Sequence, residues 1–384
     1  MSNNYKIYDL TVSTVTPLHI GTGTDLLHEY DYAIHGGKTW RLNEAELLDA
    51  VYTDDPKLAD QLARTAPAEL LEKKDFREDS KFFRYVIQGT PRSSRKGAQL
   101  QEEIKTVDDH PYLPGSSLKG ALRTAIAWYA WDKKNLKAEV SNLRRYAKFA
   151  AQNYEKDIFG KNPNYDFMRA LHIADSAEVE KDRLMVLNIR ALNQSGELQA
   201  PIEAEAIRPD TIFKMSLKID TALYSDWAKQ KRFHLGGRNF LEALPQVLHA
   251  HSRQQIESEL AWYKKNESAT RLASFYTQLE NLTKKPSSTQ FLLQLGAGTG
   301  WSDKTFGSHL KKSDRFMNTI LKSRRDGGYG VARKRPPRNV QEFPLSRRVA
   351  VAFRRRDDGM MMENPAYPLG WVLVEMKERE NRNQ

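Results

Sequence analysis

The sequence predicts an α+β fold built on an antiparallel sheet, with helices inserted between and after the strands. Three observations predict it. The first half reads strand, helix, strand, strand with intervening helices; a long polar helical stretch at 239–284 precedes more strands; and apolar residues make up 40% of the 384, aromatics 10%, enough to fill cores.

Residues 5–15 open the chain as a strand, because Tyr8, Leu10 and Val12 alternate with Asp9, Thr11 and Ser13, the period of a half-buried strand. The alternation breaks at Pro17, and Gly21-Thr-Gly23 is expected to supply a turn. Residues 30–34 read as a second short strand closed by Gly36-Gly37. Helices are expected over 44–51 and over 57–74, the latter with Pro67 inside it. Residues 82–88 return to a strand pattern. The basic loop 90–97 and a returning strand at 104–107 then make a hairpin-like projection carrying Arg92, Arg95 and Lys96. Pro114-Gly-Ser-Ser117 opens a helix with Ser116 or Ser117 as its cap and Leu118, Leu122, Ile126 and Tyr129 as its apolar stripe. Lys119 and Arg123, one turn apart, project from another face, and more helix follows to about Tyr154. Further strands are expected at 171–174, 184–191 and 212–219, then at 291–295, 348–353 and 370–376, with a helix-like stretch from Asp303. A domain boundary near Tyr224 divides the chain into 1–224, with inserted helices and the basic loop, and 225–384, a helical segment leading to a second sheet domain.

Charge points to a polyanionic partner. Lys and Arg total 60 against 49 acidic residues, a net +11. Between 322 and 356, twelve basic residues face only Asp326 and Glu342, so this segment alone carries +10. Ten of the twelve are Arg, whose planar fork grips phosphate and stacks on bases. The competing reading is a solvated basic loop, since Gly327-Gly328-Tyr329-Gly330 and Pro336-Pro337 punctuate it.

Several chemistries are excluded. With no cysteine there is no disulfide, thiolate nucleophile or zinc knuckle, which suits a reducing cytoplasm. No apolar run is long enough to span a bilayer, and the N-terminus lacks a signal-peptide core, so a soluble cytoplasmic protein is expected. Gly296-x-Gly298-x-Gly300 follows a strand, but Trp301 stands where the spacing of a dinucleotide site departs, and there is no P-loop. The glycines leave two readings, close backbone approach to a phosphate or a tight turn. The nine histidines show no ligand spacing, so neither a metal nor a cofactor is expected. His19, just after the first strand, is placed either for a general base or as a satisfied structural histidine. The helix start at Gly115, Ser116 and Ser117, with Lys119 and Arg123, suits an anion or a merely capped amphipathic helix.

Taken in order, Thr16-Pro-Leu-His-Ile-Gly-Thr-Gly23, Tyr112-Leu-Pro-Gly-Ser-Ser-Leu-Lys-Gly-Ala-Leu-Arg123, Asp157-Ile-Phe-Gly160, the glycine loop and Pro368-Leu-Gly-Trp-Val372 resemble RAMP proteins of type III CRISPR effectors. The chain is most similar to the type III-A (Csm complex) subunit that caps the 3′ end of the CRISPR RNA (crRNA). The resemblance implies two ferredoxin-like, RRM-like modules with helical insertions and a non-catalytic, crRNA-binding role in antiviral defence, linked to crRNA maturation. It implies crRNA, target RNA, backbone RAMP subunits and small helical subunits as partners, with no membrane. Carried onto this sequence, the expected RNA contacts are His19, Gly21 and Gly23; Gly115, Ser116, Ser117, Lys119 and Arg123; and the loop Gly296, Gly298 and Gly300, beside which Trp301 is a stacking platform. Lys304, Arg347 and Arg348 join them for their charge. Arg92, Arg95 and Lys96 fall where RAMPs carry a hairpin that wedges the guide–target duplex. Asp31 is the nearest counterpart of the aspartate with which backbone RAMPs cleave target RNA, so cleavage there is the enzymatic alternative, and guide processing by His19 a third.

Overall fold

The computed structural model describes residues 4–51, 64–302, 304–332, 336–355, 358 and 360–380. Its strands are β1 (Tyr5–Thr14), β2 (Gly21–Leu27), β3 (Tyr32–His35), β4 (Lys38–Leu42), β5 (Phe83–Gln88), β6 (Gln99–Glu103), β7 (Leu171–Ile173), β8 (Leu184–Asn193), β9 (Leu198–Ile207), β10 (Ile212–Asp220), β11 (Gln290–Gln294), β12 (Ser346–Arg355), β13 (Met361–Tyr367) and β14 (Trp371–Glu378). The helices used below are α1 (Glu44–Ala50), α2 (Gly115–Lys133), α3 (Gln152–Phe159), α4 (Leu244–Tyr263), α5 (Thr270–Leu282) and α6 (Asp314–Leu321); shorter helical turns carry no label.

Two sheets result, the second of which includes the parallel pairs β5–β8 and β6–β9 that the expected antiparallel sheet did not foresee. The first runs β11-β14-β1-β10-β7, and every pairing in it is antiparallel. The second runs β2-β6-β9-β8-β5-β4-β3, with the β12–β13 ribbon joined to it through β8. Alternation along β1 does what its pattern predicts: Leu10 and Val12 are buried, and with Met215 of β10 and Val374 of β14 they form one wall of the largest core. Helix α2 closes that core with Leu118, Leu122 and Ile126. Burying each of these side chains contributes roughly 2 kcal/mol, which fixes the rotation of α2 and so decides what its other faces meet. Strands from both sides of residue 224 share each sheet: β14 pairs with β1, and β12 with β8.

Several sequence expectations are corrected. Gly21-Thr-Gly23 lies inside β2, and the turn falls at 15–20 instead. Residues 99–103, not 104–107, form the strand after the basic loop, and β6 pairs with β2 and β9 while β5 pairs with β4 and β8, so Arg92, Arg95 and Lys96 sit on a crossover loop rather than a hairpin. Helix α2 is capped by Pro114 backbone, with no side-chain cap, and ends at Lys133 rather than near Tyr154. The helix expected over 57–74 lies partly outside the described residues; its described part holds only the short turns Pro67–Leu70 and Lys73–Asp75, as Pro67 dictates. Asp303, Arg333, Lys334, Arg335 and Arg356 also lie outside the described residues.

Candidate nucleic-acid interface

Three segments far apart in sequence meet at one cleft. Leu18 exchanges backbone hydrogen bonds with Ile207 of β9, which carries the turn after β1 across to the second sheet. Ala297 N–H then donates to His19 O at 2.9 Å, docking the glycine loop on that turn. Gly296 makes this approach possible: its φ is +66°, and a Cβ there would lie 2.1 Å from His19 O. The face of α2 formed by Ser117, Gly120 and Thr124 completes a cleft of about 500 Å³, which His19, Gly21, Gly296 and Lys304 also line. A second cleft of about 440 Å³ shares Gln294, Thr299 and Lys304 with the first. Gly298, Gly300, Trp301, Arg347 and Arg348 line it. The two form a continuous groove between the sheets and α2.

The groove floor holds a buried polar network. His19 Nδ1 donates to Glu205 O at 2.6 Å and lies 3.2 Å from the Glu103 carboxylate, which itself accepts Ile20 N–H at 3.1 Å. Tyr85 Oη and Lys105 Nζ reach the Glu205 carboxylate at 2.7 and 2.5 Å. Burial pushes the Glu103 carboxyl up to about 7 against the opposing pull of His19. Burial pulls His19 down, but the hydrogen bond and charge of Glu103 together with the contacts to Glu205 outweigh it and leave the imidazole raised. With Nδ1 so held, Nε2 faces Gly21, where an added Cβ would lie 2.8 Å away. The sequence left His19 between a base and a structural residue; here its ring is anchored at one nitrogen.

The predicted contacts divide. Lys119 Nζ donates to Leu171 O at 2.6 Å, and burial lowers its pKa. Arg123 pairs with Asp166 at 2.8 Å and stacks 3.6 Å from the Phe159 ring centroid. Both line a different cleft, with Glu155 and Asp166, rather than the groove. Gly115 N–H, expected to meet an anion, donates to Asp175 Oδ1 at 2.7 Å, while Ser116 is exposed and only Ser117 reaches the groove. In the glycine loop, Thr299 N–H returns to Gly296 O at 3.3 Å. Trp301 is half-buried, edge-on against Phe343, and still lines the groove. Arg347 is bound to Glu259 at 2.8 Å and lies over Trp262, whereas Arg348 is exposed. Arg92 pairs with Glu363 at 2.5 Å and, with Arg95, lies beside Phe353 of β12 and Met361 of β13, whereas Lys96 pairs with Glu69 at 2.6 Å. Gly23 is exposed on β2. The Asp31 carboxylate accepts Leu27 N–H at 2.7 Å and lies 3.7 Å from Arg41, in the turn before β3 and outside the groove.

The glycine loop, the Ser117 face of α2 and part of β12 thus line one groove, while Gly115, Lys119 and Arg123 lie outside it. The profile of the RAMP superfamily matches residues 11–303. The chain belongs to the RAMP superfamily. Relatives of this RAMP protein include the CRISPR system Cms protein Csm5 of Methanocaldococcus jannaschii, 24% identical over 383 residues, which cover 95% of this chain and 88% of that one. Csm5 of Streptococcus thermophilus is 25% identical over 247 residues, 58% of this chain and 66% of that one. In fold it is similar to a chain of the cryo-EM structure of a Csm-crRNA-target RNA ternary complex of a type III-A CRISPR-Cas system, with a TM-score of 0.65 and 24% identity over 96% of this chain and all of that one. The crystal structure of T. onnurineus Csm5 gives a TM-score of 0.63 and 23% identity, covering 94% and 99% of the two chains.

Sequence reasoning on this RAMP protein passed over Gln101, Gly120, Thr124 and Thr299, all of which line the groove. One signal was present: Gly120 breaks the interior of a well-formed helix at a cost of about 1 kcal/mol relative to Ala, which asks for a reason.

Proposed function

We propose that this chain is the subunit of a type III-A Csm effector complex that caps the crRNA, holding the 3′ part of the guide without cutting it. The observation that carries the reading is the convergence of the His19 turn, the Ser117 face of α2 and the Gly296 loop on one groove that continues past Trp301, Lys304 and Arg348. Lys304 and Arg348 grip phosphates, Trp301 offers a face to an unstacked base, and the small residues Gly21, Ser117 and Gly120 let the sugar-phosphate backbone lie close. By covering the guide's 3′ part the subunit limits how far it is trimmed, which links it to crRNA maturation. The relatives named Csm5 and the resemblance to a chain of a Csm-crRNA-target RNA complex support membership of such an assembly; in this reading backbone RAMP subunits and small helical subunits are its neighbours in the cytoplasm. The non-catalytic part is supported by Asp31, whose carboxylate is engaged by Leu27 N–H and Arg41.

Ultraviolet crosslinking of the assembled complex, mapped by mass spectrometry, tests this. Guide RNA crosslinks are expected on peptides containing Ser117, Gly296 and Trp301, and Lys304→Ala with Arg348→Ala should reduce guide retention. Crosslinks absent from all three peptides would overturn the groove reading. Cleavage of complementary RNA that disappears in Asp31→Ala would overturn the non-catalytic one.

A further inference from the structure

A second basic surface lies outside the groove and shares none of its lining residues. Past α2 the chain makes two short helical turns, Val140–Asn142 and Ala147–Phe149. Val140 and Leu143 pack against the core, which leaves Arg144, Arg145 and Lys148 exposed with Tyr146 and Phe149 between and beside them. Tyr146 is 70% exposed and Phe149 46%, and neither shares a ring contact with another aromatic side chain among the described residues. After α6, residues 322–330 fold into a tight loop closed by Gly330 N–H to Lys322 O at 2.7 Å and Gly328 N–H to Ser323 O at 2.9 Å. That loop exposes Lys322, Arg324 and Arg325, and its one acid, Asp326, accepts a hydrogen bond from Ser323 Oγ at 2.6 Å. Tyr329 joins the two segments: its ring packs on the core and its hydroxyl donates to Arg144 O at 2.9 Å. Six cations therefore face one acid, a local charge of +5 by subtraction, and none of the six forms an ion pair among the described residues.

We propose that residues 144–149 and 322–329 form a second site for single-stranded RNA, read by its phosphates and its bases rather than by sequence. A protein-docking face gathers apolar area at its centre and keeps charge to its rim, whereas here each exposed aromatic stands among cations. Phosphates meet arginine forks while unpaired bases stack on Tyr146 and Phe149, the arrangement that sequence-tolerant single-strand binding calls for. The site goes beyond the groove, since either could bind RNA without the other.

The test uses the full chain and a thiouridine-substituted single-stranded oligoribonucleotide, crosslinked by light and mapped, with affinity measured across salt concentrations. Crosslinks are expected at Tyr146 or Phe149, and they should persist in Lys304→Ala. Tyr146→Ala with Phe149→Ala should weaken binding about 25-fold, fivefold for each base at the lower end of stacking strength. Tyr146→Phe should restore most of its share. Arg144→Gln, Arg145→Gln and Arg324→Gln together should flatten the logarithmic salt slope by about 2, at roughly 0.7 for each lost phosphate contact. In the assembled complex, placing thiouridine in the guide or in the target tells which strand is held. Crosslinks confined to groove peptides would overturn the proposal. So would unchanged affinity and slope in these variants, or a crosslink of this surface to a neighbouring protein alone.

Discussion

Substituting Gly120 separates the stability of α2 from the shape of the groove. The residue sits in the helix interior, exposed on the groove wall, and a Cβ built there meets no atom within 4 Å. Since an interior glycine costs about 1 kcal/mol relative to alanine, Gly120→Ala should stabilise the chain by that amount, raising Tm by about 1 °C at this size. Leucine has nearly the same helix propensity and fills more of the groove, so Gly120→Leu should keep the gain while obstructing a strand laid against the wall. A hydrogen bond from a charged donor to phosphate is worth about 1.5–3 kcal/mol, so displacing the RNA from one such contact weakens binding tenfold or more. Thermal melting and fluorescence anisotropy with single-stranded RNA, both on the full chain, read the two effects. Tm should rise in both variants while the dissociation constant climbs from Gly to Ala to Leu. Equal affinity in all three, with Tm raised, would refute RNA contact at this wall; a lowered Tm would refute the open space.

Three other perturbations bear on neighbouring elements. Arg123→Ala removes an ion pair with Asp166 and stacking on Phe159, and is expected to destabilise by roughly 1–2 kcal/mol while leaving RNA affinity unchanged; a loss of affinity at constant Tm would return Arg123 to the interface. Gly296→Ala sets a Cβ against His19 O in a left-handed conformation and breaks the Ala297 contact, so both Tm and RNA affinity should fall, by roughly 2 kcal/mol for stability; a wild-type melting curve would disprove the close approach. For Glu103, the folded carboxyl keeps its proton to about 7 against 4.5 when unfolded, so its stabilising contribution is complete below 4.5 and is lost as pH rises through 7. The 2.5-unit difference corresponds to about 3 kcal/mol. His19, also raised, acts in the same sense. Glu103→Gln should flatten the fall in Tm across that window, and an unchanged slope would place the titration elsewhere.

What the sequence showed depended on how local the cause was. β1 and the apolar stripe of α2 were legible because their periods record burial directly, residue by residue. β9 was not: Glu203 and Glu205 lie buried along it, and the partners that make this tolerable, Tyr85, Lys105 and the backbone of Glu103 and Ser93, come from remote segments. β13 hid behind Pro365, which its position at the outer edge of the β12–β13 ribbon accommodates. The spacing of Lys119 and Arg123 correctly put them on one face of a helix. Which cleft that face meets is set by the packing of Leu118 and Leu122, and no spacing rule reports it.

The same distinction changes what the basic run means. Adjacent residues on β12 point opposite ways, so Arg347 is neutralised by Glu259 while Arg348 stays exposed. A count of +10 over 322–356 therefore overstates the charge an RNA strand meets in the groove, where Lys304 and Arg348 are the lining cations without an ion pair among the described residues. Two phosphate contacts give a logarithmic salt slope of about 1.4 for a single strand, whereas the six cations around Tyr146 give about 4. The salt dependence of the wild-type chain thus ranks the two surfaces before any substitution is made. A shallow slope means that the groove holds RNA mainly by shape, stacking and close backbone approach. A steep slope means that most of the electrostatic attraction comes from the surface joined by Tyr329, with the groove fixing where the captured strand lies.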